Sequence, residues 1–403
     1  MTSHLSSNFF KANRQRLLEQ LPDDALVVLA AYSEMQRTAD ASFKFEQEAS
    51  FYYLTGIEAP DWRLIIDKPS GREYLVAPEA DPVKLLFDGG LTSETAKRLS
   101  GVADVIDDHP ANNQLEEFRK RGRSVYCLRT PAYLKSAGFT VNPSADKLAR
   151  QLKRRFGKVN DLTGQLMKLR TIKQPPEITA IEQAIAVTAT AFDHVRSNLA
   201  DYDYEYQIEA DMTGLIRGSG ARGHAYDPIV AGGANACTLH YIANDQPLQV
   251  DQPVLLDVGA RSVAGYAADI SRTYAVQPTR RQFRVHQAVA EAQAKCIDLL
   301  KPGLRFTDYQ LAVDRIMKQA IRSLGLNESK YRDYFPHAIG HGLGLDVHDN
   351  LVGYDSLRPG MVMTVEPGIY IDEEGLGIRI EDDILITETG HRNLSAKLST
   401  DLT

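Results

Sequence analysis

Carboxylates stand inside otherwise apolar, strand-like runs of this chain, and no other feature restricts its fold as much. Leu255-Leu256-Asp257-Val258-Gly259 is one such run and Tyr266-Ala267-Ala268-Asp269-Ile270 a second. Met363-Thr364-Val365-Glu366 is a third, and Ile378-Arg379-Ile380-Glu381-Asp382-Asp383-Ile384 a fourth. A carboxylate buried alone is costly, so a fold that accepts all of these must gather them where a cation or proton lies between them. Taken singly, each run also fits a solvated strand end or a salt-bridged outer face, but neither reading accounts for all of them together. If Ala260–Gly265 turns about Val263, Asp257 and Asp269 sit opposite each other on a hairpin with both side chains on one face. Alternation likewise places Arg379, Glu381 and Asp383 on one strand face.

The histidines strengthen the case. Only 10 occur in 403 residues, yet His337, His341 and His348 fall close together in a loop with Gly340, Gly342 and Gly344. Glycines let backbone turn tightly and bring side chains close to a site. Asp257, Asp269, His341, Glu366 and Glu381 therefore form an oxygen-rich ligand set with one imidazole. That chemistry suits two divalent ions, Mn²⁺ first, with Co²⁺ or Zn²⁺ as alternatives. Such a pair can activate a bridging water and polarise a carbonyl.

The chain exceeds the size at which one core keeps growing, so at least two domains are expected. A break falls at Thr171–Pro176, where two prolines disfavour helix before them and suit a helix start after them. The boundary is placed at residues 1–165 and 166–403. The first part alternates strand-like and helix-like stretches: a helix over Phe10–Leu21, strands at Leu26–Ala31 and Phe51–Leu54, a hairpin around Lys68–Gly71, and helices near Ser93–Leu99 and Ala145–Arg155. This is an α/β pattern with a mixed sheet. The second part has helices over Glu177–Leu199, Gln282–Leu300 and Asp308–Leu324, the last capped by Thr307. Strands are expected at Val254–Val258, Tyr266–Val276, Leu345–His348, Val362–Glu366 and Ile378–Ile386, giving an α+β domain.

Composition excludes several classes. The net charge of −7 argues against a nucleic-acid partner, which calls for a basic stripe. The excess acid lies at the back: residues 171–403 carry 21 basic and 31 acidic groups, against 25 and 22 in residues 1–170. No apolar run is long enough for a membrane span. Met1–Ser7 shows no signal-peptide pattern, and the 3 cysteines fit a reducing compartment. A cytoplasmic location is expected.

The order Asp257, Asp269, His341, Glu366, Glu381 resembles the pita-bread metallopeptidases, which include methionine aminopeptidase, aminopeptidase P and prolidase. The segment Phe43–Gly56 resembles the N-terminal domain of aminopeptidase P and points to the proline-specific branch. One extra residue between the two hairpin acids implies a longer turn at Arg261–Gly265, and His341-Gly342-Leu343-Gly344 looks more like many prolidases. The resemblance implies a ribonuclease-H-like α/β first domain and a creatinase/aminopeptidase (pita-bread) second domain. It further implies hydrolysis of an N-terminal Xaa-Pro bond by a hydroxide bridging two metals. In this likeness Glu366 both binds metal and shuttles a proton, so His240, His348 and Glu366 are the expected catalytic residues. His240, in Asn235-Ala236-Cys237-Thr238-Leu239-His240-Tyr241, matches a histidine lining the substrate site. His348 matches one at the scissile bond and His337 one shaping the proline pocket. Tyr226, Tyr370 and Arg379 match positions supporting the ligands. Expected partners are peptides with proline in second place and further copies of the chain, as a dimer or tetramer. A strict Xaa-Pro dipeptidase is the alternative activity, and a metal-free binding protein of the same fold is a more distant one.

Overall fold

A computed structural model describes residues 5–79, 81–131, 134 and 138–403. Met1–His4, at the start of the segment read for a signal peptide, lie outside it. Contacts divide the chain into two compact units, Leu5–Leu169 and Arg170–Thr403.

The first unit is built on a mixed six-stranded sheet. Its strands are β1 (Ala25–Ala30), β4 (Arg63–Asp67), β5 (Arg72–Val76), β6 (Asp104–Ile106), β7 (Ser124–Cys127) and β8 (Asn160–Asp161), in the order β6-β5-β4-β1-β7-β8. β1, β4 and β5 pair antiparallel, whereas β1–β7, β5–β6 and β7–β8 are parallel. A small hairpin, β2 (Gln36–Thr38) with β3 (Ala41–Ser42), stands apart. The α/β expectation holds, with one correction: the aromatic run Phe51–Leu54 lies in a helix, Ala49–Thr55. Every residue of that helix is buried, so no polar face marks its period, and a short apolar run reads equally as strand. The Glu48 carboxylate accepts from Phe51 N at 2.6 Å, and Gly56 ends the helix at φ 66°.

The second unit carries several short antiparallel sheets. β10 (Ile229–Gly232), β11 (Val254–Val258) and β13 (Ile270–Tyr274) form one; β14 (Val362–Val365), β17 (Asp382–Ile386) and β18 (His391–Asn393) form another. β15 (Gly368–Ile371) pairs with β16 (Leu376–Arg379), and β9 (Gly223–His224) with β12 (Ala260–Arg261). The helices Arg280–Asp298 and Phe306–Ser323 bury Val289, Cys296, Val313 and Met317 in a core shared with Val365, Ile378 and Ile384. The helix Pro175–Ser197 starts where the two prolines required it, and Gln174 N donates to Glu177 Oε2 at 2.9 Å.

Three local expectations change. The helix over Phe306–Ser323 is capped at Arg305, so Thr307 lies inside its first turn. Ile378–Ile386 is not one strand: β16 ends at Arg379 and β17 begins at Asp382, in different sheets. No strand forms over Leu345–His348. The pairing segment lies just before it, where Glu366 N donates to Ile339 O, Thr364 N to His341 O and Leu343 N to Val362 O.

Candidate metal centre

Asp257 lies in β11 and Asp269 immediately before β13, which spans Ile270–Tyr274 rather than the expected Tyr266–Val276. Asp257 pairs with Ser271 rather than Asp269, so the two acids are diagonal neighbours, two residues out of the expected register. The shift preserves parity, and both side chains still share a face. The turn at Ser262–Gly265 is closed by Gly265 N on Ser262 O. Gly259 is required at the hairpin neck, because a Cβ there would lie 1.8 Å from Ala268 O.

Tyr226 shows what these acids lack. Its hydroxyl lies 2.6 Å from Asp257 Oδ1 and 2.6 Å from Asp269 Oδ1. One O–H supplies one proton, so both acids cannot be satisfied at once. Burial raises the Asp257 carboxyl, and Arg379, whose Nη2 donates to Asp257 Oδ2 at 2.6 Å, only partly offsets this.

The ladder between residues 339–343 and β14 brings His341 and Glu366 together. Thr364 Oγ1 accepts from His341 N at 3.0 Å and donates to Glu366 Oε1 at 3.1 Å. Gly340 permits this approach, since a Cβ would sit 2.0 Å from Thr364 O. His341 Nδ1 donates to Gly342 O at 3.0 Å, which turns Nε2 toward Asp269 Oδ2 at 3.4 Å and Glu366 Oε1 at 3.5 Å. Burial opposes protonation there, yet Asp269 and Glu366 outweigh it and lift His341 to about 9. Burial and Asp269 push Glu366 up to about 7, with His341 opposing.

Glu381 completes the set from the gap between β16 and β17. Its Oε2 accepts from Ser271 Oγ at 2.7 Å, and its N–H donates to Ser271 O at 3.0 Å. Burial and then Asp269 and Glu366 hold its pKa well above normal. Asp257, Asp269 and Glu381 offer ligand atoms within 4.8 Å of one another, and so do His341, Glu366 and Glu381. Two overlapping triads that share Glu381 fit two cations, and a cation pair relieves the mutual repulsion that raises these carboxyls.

The other expected residues also converge. His348 lies against His341, with ring centroids 4.1 Å apart and planes tilted by 58°, and joins Asp269 and His341 in a third candidate ligand group. His240 is exposed, and it lies near enough to His337 and His348 to contribute to the lowering of both. His337 Nδ1 lies 2.8 Å from Ala338 O and Nε2 2.9 Å from the Tyr370 hydroxyl. That hydroxyl accepts from Arg379 Nη1 at 2.9 Å, so its own proton goes to His337 Nε2. His337 is accordingly neutral, its pKa lowered to about 4 by burial and Arg379.

Sequence reading overlooked Ser271, which accepts from Arg379 Nε at 2.8 Å while donating to Glu381. Alternation from Asp269 would have found it. Asp383, expected on one strand face with Arg379 and Glu381, lies beyond the strand break, fully buried in β17, where its Oδ2 accepts from Asp269 N at 3.2 Å. Replacing Tyr226 with Phe keeps the ligands but removes a supporting hydrogen bond. Metal affinity, titrated with a competing chelator, is expected to fall by about 10–100-fold.

The Metallopeptidase family M24 model matches residues 179–388, and the aminopeptidase P N-terminal domain model matches residues 10–126. Xaa-Pro aminopeptidase from Haemophilus influenzae is 32% identical, over 96% of this chain and 94% of its own length. A Bacillus anthracis structure assigned to aminopeptidase P superposes with TM-score 0.90 at 32% identity, covering 99% of this chain and 97% of the other. Escherichia coli aminopeptidase P with the inhibitor Pro-Leu gives TM-score 0.85 at 30% identity, over 99% and 97% of the two chains.

Proposed function

Because this chain belongs to metallopeptidase family M24 and carries an aminopeptidase P N-terminal domain, we infer that it is a metal-dependent Xaa-Pro aminopeptidase, removing the first residue of peptides whose second is proline. The observation that carries this is full-length similarity, through both units, to Xaa-Pro aminopeptidases. The same similarity disfavours the dipeptidase alternative. The fold is the pita-bread arrangement with its additional N-terminal α/β domain.

Asp257, Asp269, His341, Glu366 and Glu381 would hold two divalent ions. When bound, these supply Lewis acidity, lowering the pKa of a coordinated water and polarising the scissile carbonyl. Glu366, whose Oε1 lies 3.5 Å from His341 Nε2 and whose Oε2 lies 3.5 Å from His337 Nδ1, would take a proton from the attacking water and return it toward the leaving nitrogen. Neutral His337 and the Tyr370–Arg379 chain behind it give a fixed wall for the proline ring. That ring's nitrogen carries no N–H in the substrate amide, so no donor need be satisfied there. His348 and His240 would contact the peptide around the scissile bond and hold the carbonyl oxygen as charge develops.

The carboxylate-rich donor set supports manganese. A cytoplasmic location is supported by the free Cys127, Cys237 and Cys296; among the described residues no helix is long and apolar enough to cross a membrane. A homo-oligomer of two or four copies rests on the resemblance, and a working boundary between 165 and 166 on the break at Thr171–Pro176. Metal analysis tests the centre: wild-type protein should hold two ions per chain, and Glu381→Ala, which removes the shared ligand, should lose both. Full occupancy in Glu381→Ala would sink this assignment.

A further inference from the structure

His240 is one residue of a motif whose Asn235 and Tyr241 side chains point elsewhere. They meet Glu205, the first residue of the helix Glu205–Gly218, which is completely buried. Glu205 Oε1 accepts from Gly232 N at 2.8 Å and Asn235 Nδ2 at 2.9 Å. Its Oε2 accepts from the Tyr241 hydroxyl at 2.8 Å and Gln246 N at 3.0 Å. Four neutral donors thus face one carboxylate, two on each oxygen. A buried charge is tolerable only with such complete hydrogen bonding, and charge-assisted bonds are the strong ones. All four donors come from residues 232–246, the segment that carries His240. Glu205 N closes the far side by donating to Gln246 O at 3.1 Å.

A second fastening supports the first. Asn244 is buried at φ 48°. Its Oδ1 accepts from Val230 N at 3.0 Å, and its Nδ2 donates to Pro228 O at 2.9 Å. Gly232 fits the same close packing, since a Cβ would lie 3.1 Å from Leu248 Cδ2 and 3.4 Å from Glu205 Oε1. His240 itself stays exposed on a segment tied down on both sides of it.

We propose that Glu205 is a positioning residue, a buried carboxylate clamp that fixes residues 232–246 and so sets His240 against the peptide. This rests on the substrate role given to His240 above. Glutamine at 205 keeps the size but turns an N–H₂ toward two donors, so one pair of bonds is lost to a donor–donor clash.

The test compares wild type, His240→Ala, Glu205→Gln and the double variant, each loaded with Mn²⁺, on an Xaa-Pro tripeptide. Glu205→Gln is expected to lower kcat/KM on the order of ten- to a hundred-fold, the scale of a small misplacement. Its metal content should be unchanged, and the double variant should be no slower than His240→Ala, because the clamp acts through that histidine. Tyr241→Phe, which removes a single donor, should show a smaller loss in the same direction; it carries the test if Glu205→Gln does not fold. Wild-type rates in these variants, or losses that multiply in the double variant, overturn the proposal. Hydrogen exchange at the Gly232 and Gln246 amides reads the clamp without catalysis. It should quicken in Glu205→Gln, and unchanged exchange overturns the clamp. Faster exchange alongside wild-type activity of His240→Ala overturns the substrate role of His240 instead.

Discussion

Glu366→Gln is expected to lower kcat for an Xaa-Pro tripeptide by about 10²–10⁴-fold, the range for removing a positioned acid–base group. The substitution preserves shape and one oxygen, but an amide neither takes up nor releases a proton at neutral pH and offers a metal no negative charge. Glu366 is distinguished from the other acids by its neighbours. Thr364 donates to Oε1, and His337 Nδ1 lies 3.5 Å from Oε2, so this carboxylate faces both the ligand histidine and the proposed proline pocket. Its pKa of about 7 is set first by burial and then opposed by His341. Steady-state rates combined with metal analysis separate its two roles. A slow variant retaining both ions indicts the proton transfer, and a slow variant short of metal indicts the ligand. A variant with wild-type kcat contradicts either role.

The second large effect concerns stability. Asp349 accepts from Arg170 Nη2 at 2.9 Å and from Lys173 Nζ at 3.3 Å, with all three side chains almost fully buried. It sits at the end of the histidine loop, and its own N–H donates to Gly342 O at 2.8 Å. Asp349→Ala removes the carboxylate paired with buried Lys173 and one of the two on Arg170, which keeps Asp346; breaking such a buried pair costs about 3–5 kcal/mol. A lower urea midpoint would show it. The effect has a definite pH sign. Burial alone would raise Asp349, but Arg170 and Lys173 hold it below its ordinary 3.8. Its contribution is therefore present above that value and is lost as pH falls from 3.8 through the lower folded pKa. Wild type and Asp349→Ala should converge in stability under strong acid and diverge above it. Equal midpoints at neutral pH would show that the cluster is solvated.

The sequence revealed the chemistry of the centre better than its geometry. The five candidate ligand positions were legible because acids inside apolar strands and a glycine-rich histidine loop are conspicuous locally. Parity was legible too, but register was not: Asp257 faces Ser271 because the turn uses Ser262–Gly265 and leaves Ala260–Arg261 to pair with β9. Arg379 and Glu381 reach one site through a strand break that alternation cannot see, since it depends on which sheet each half joins. The buried helix Ala49–Thr55 was misread because it has no exposed face. The anchors Glu205 and Asp349 left no mark at all. Their partners lie 30 and 176 or more positions away in the clearest cases, and no local pattern encodes such pairs.

One measurement bears most directly on the central claim. Protein stripped with chelator and reloaded with Mn²⁺ is given a tripeptide Xaa-Pro-Xaa, the same peptide with alanine in second place, and the dipeptide Xaa-Pro. Release of the first residue from the proline tripeptide, dependent on metal and much slower with alanine, is the predicted result. Cleavage confined to the dipeptide, indifferent to proline, or undiminished in the stripped protein would contradict it.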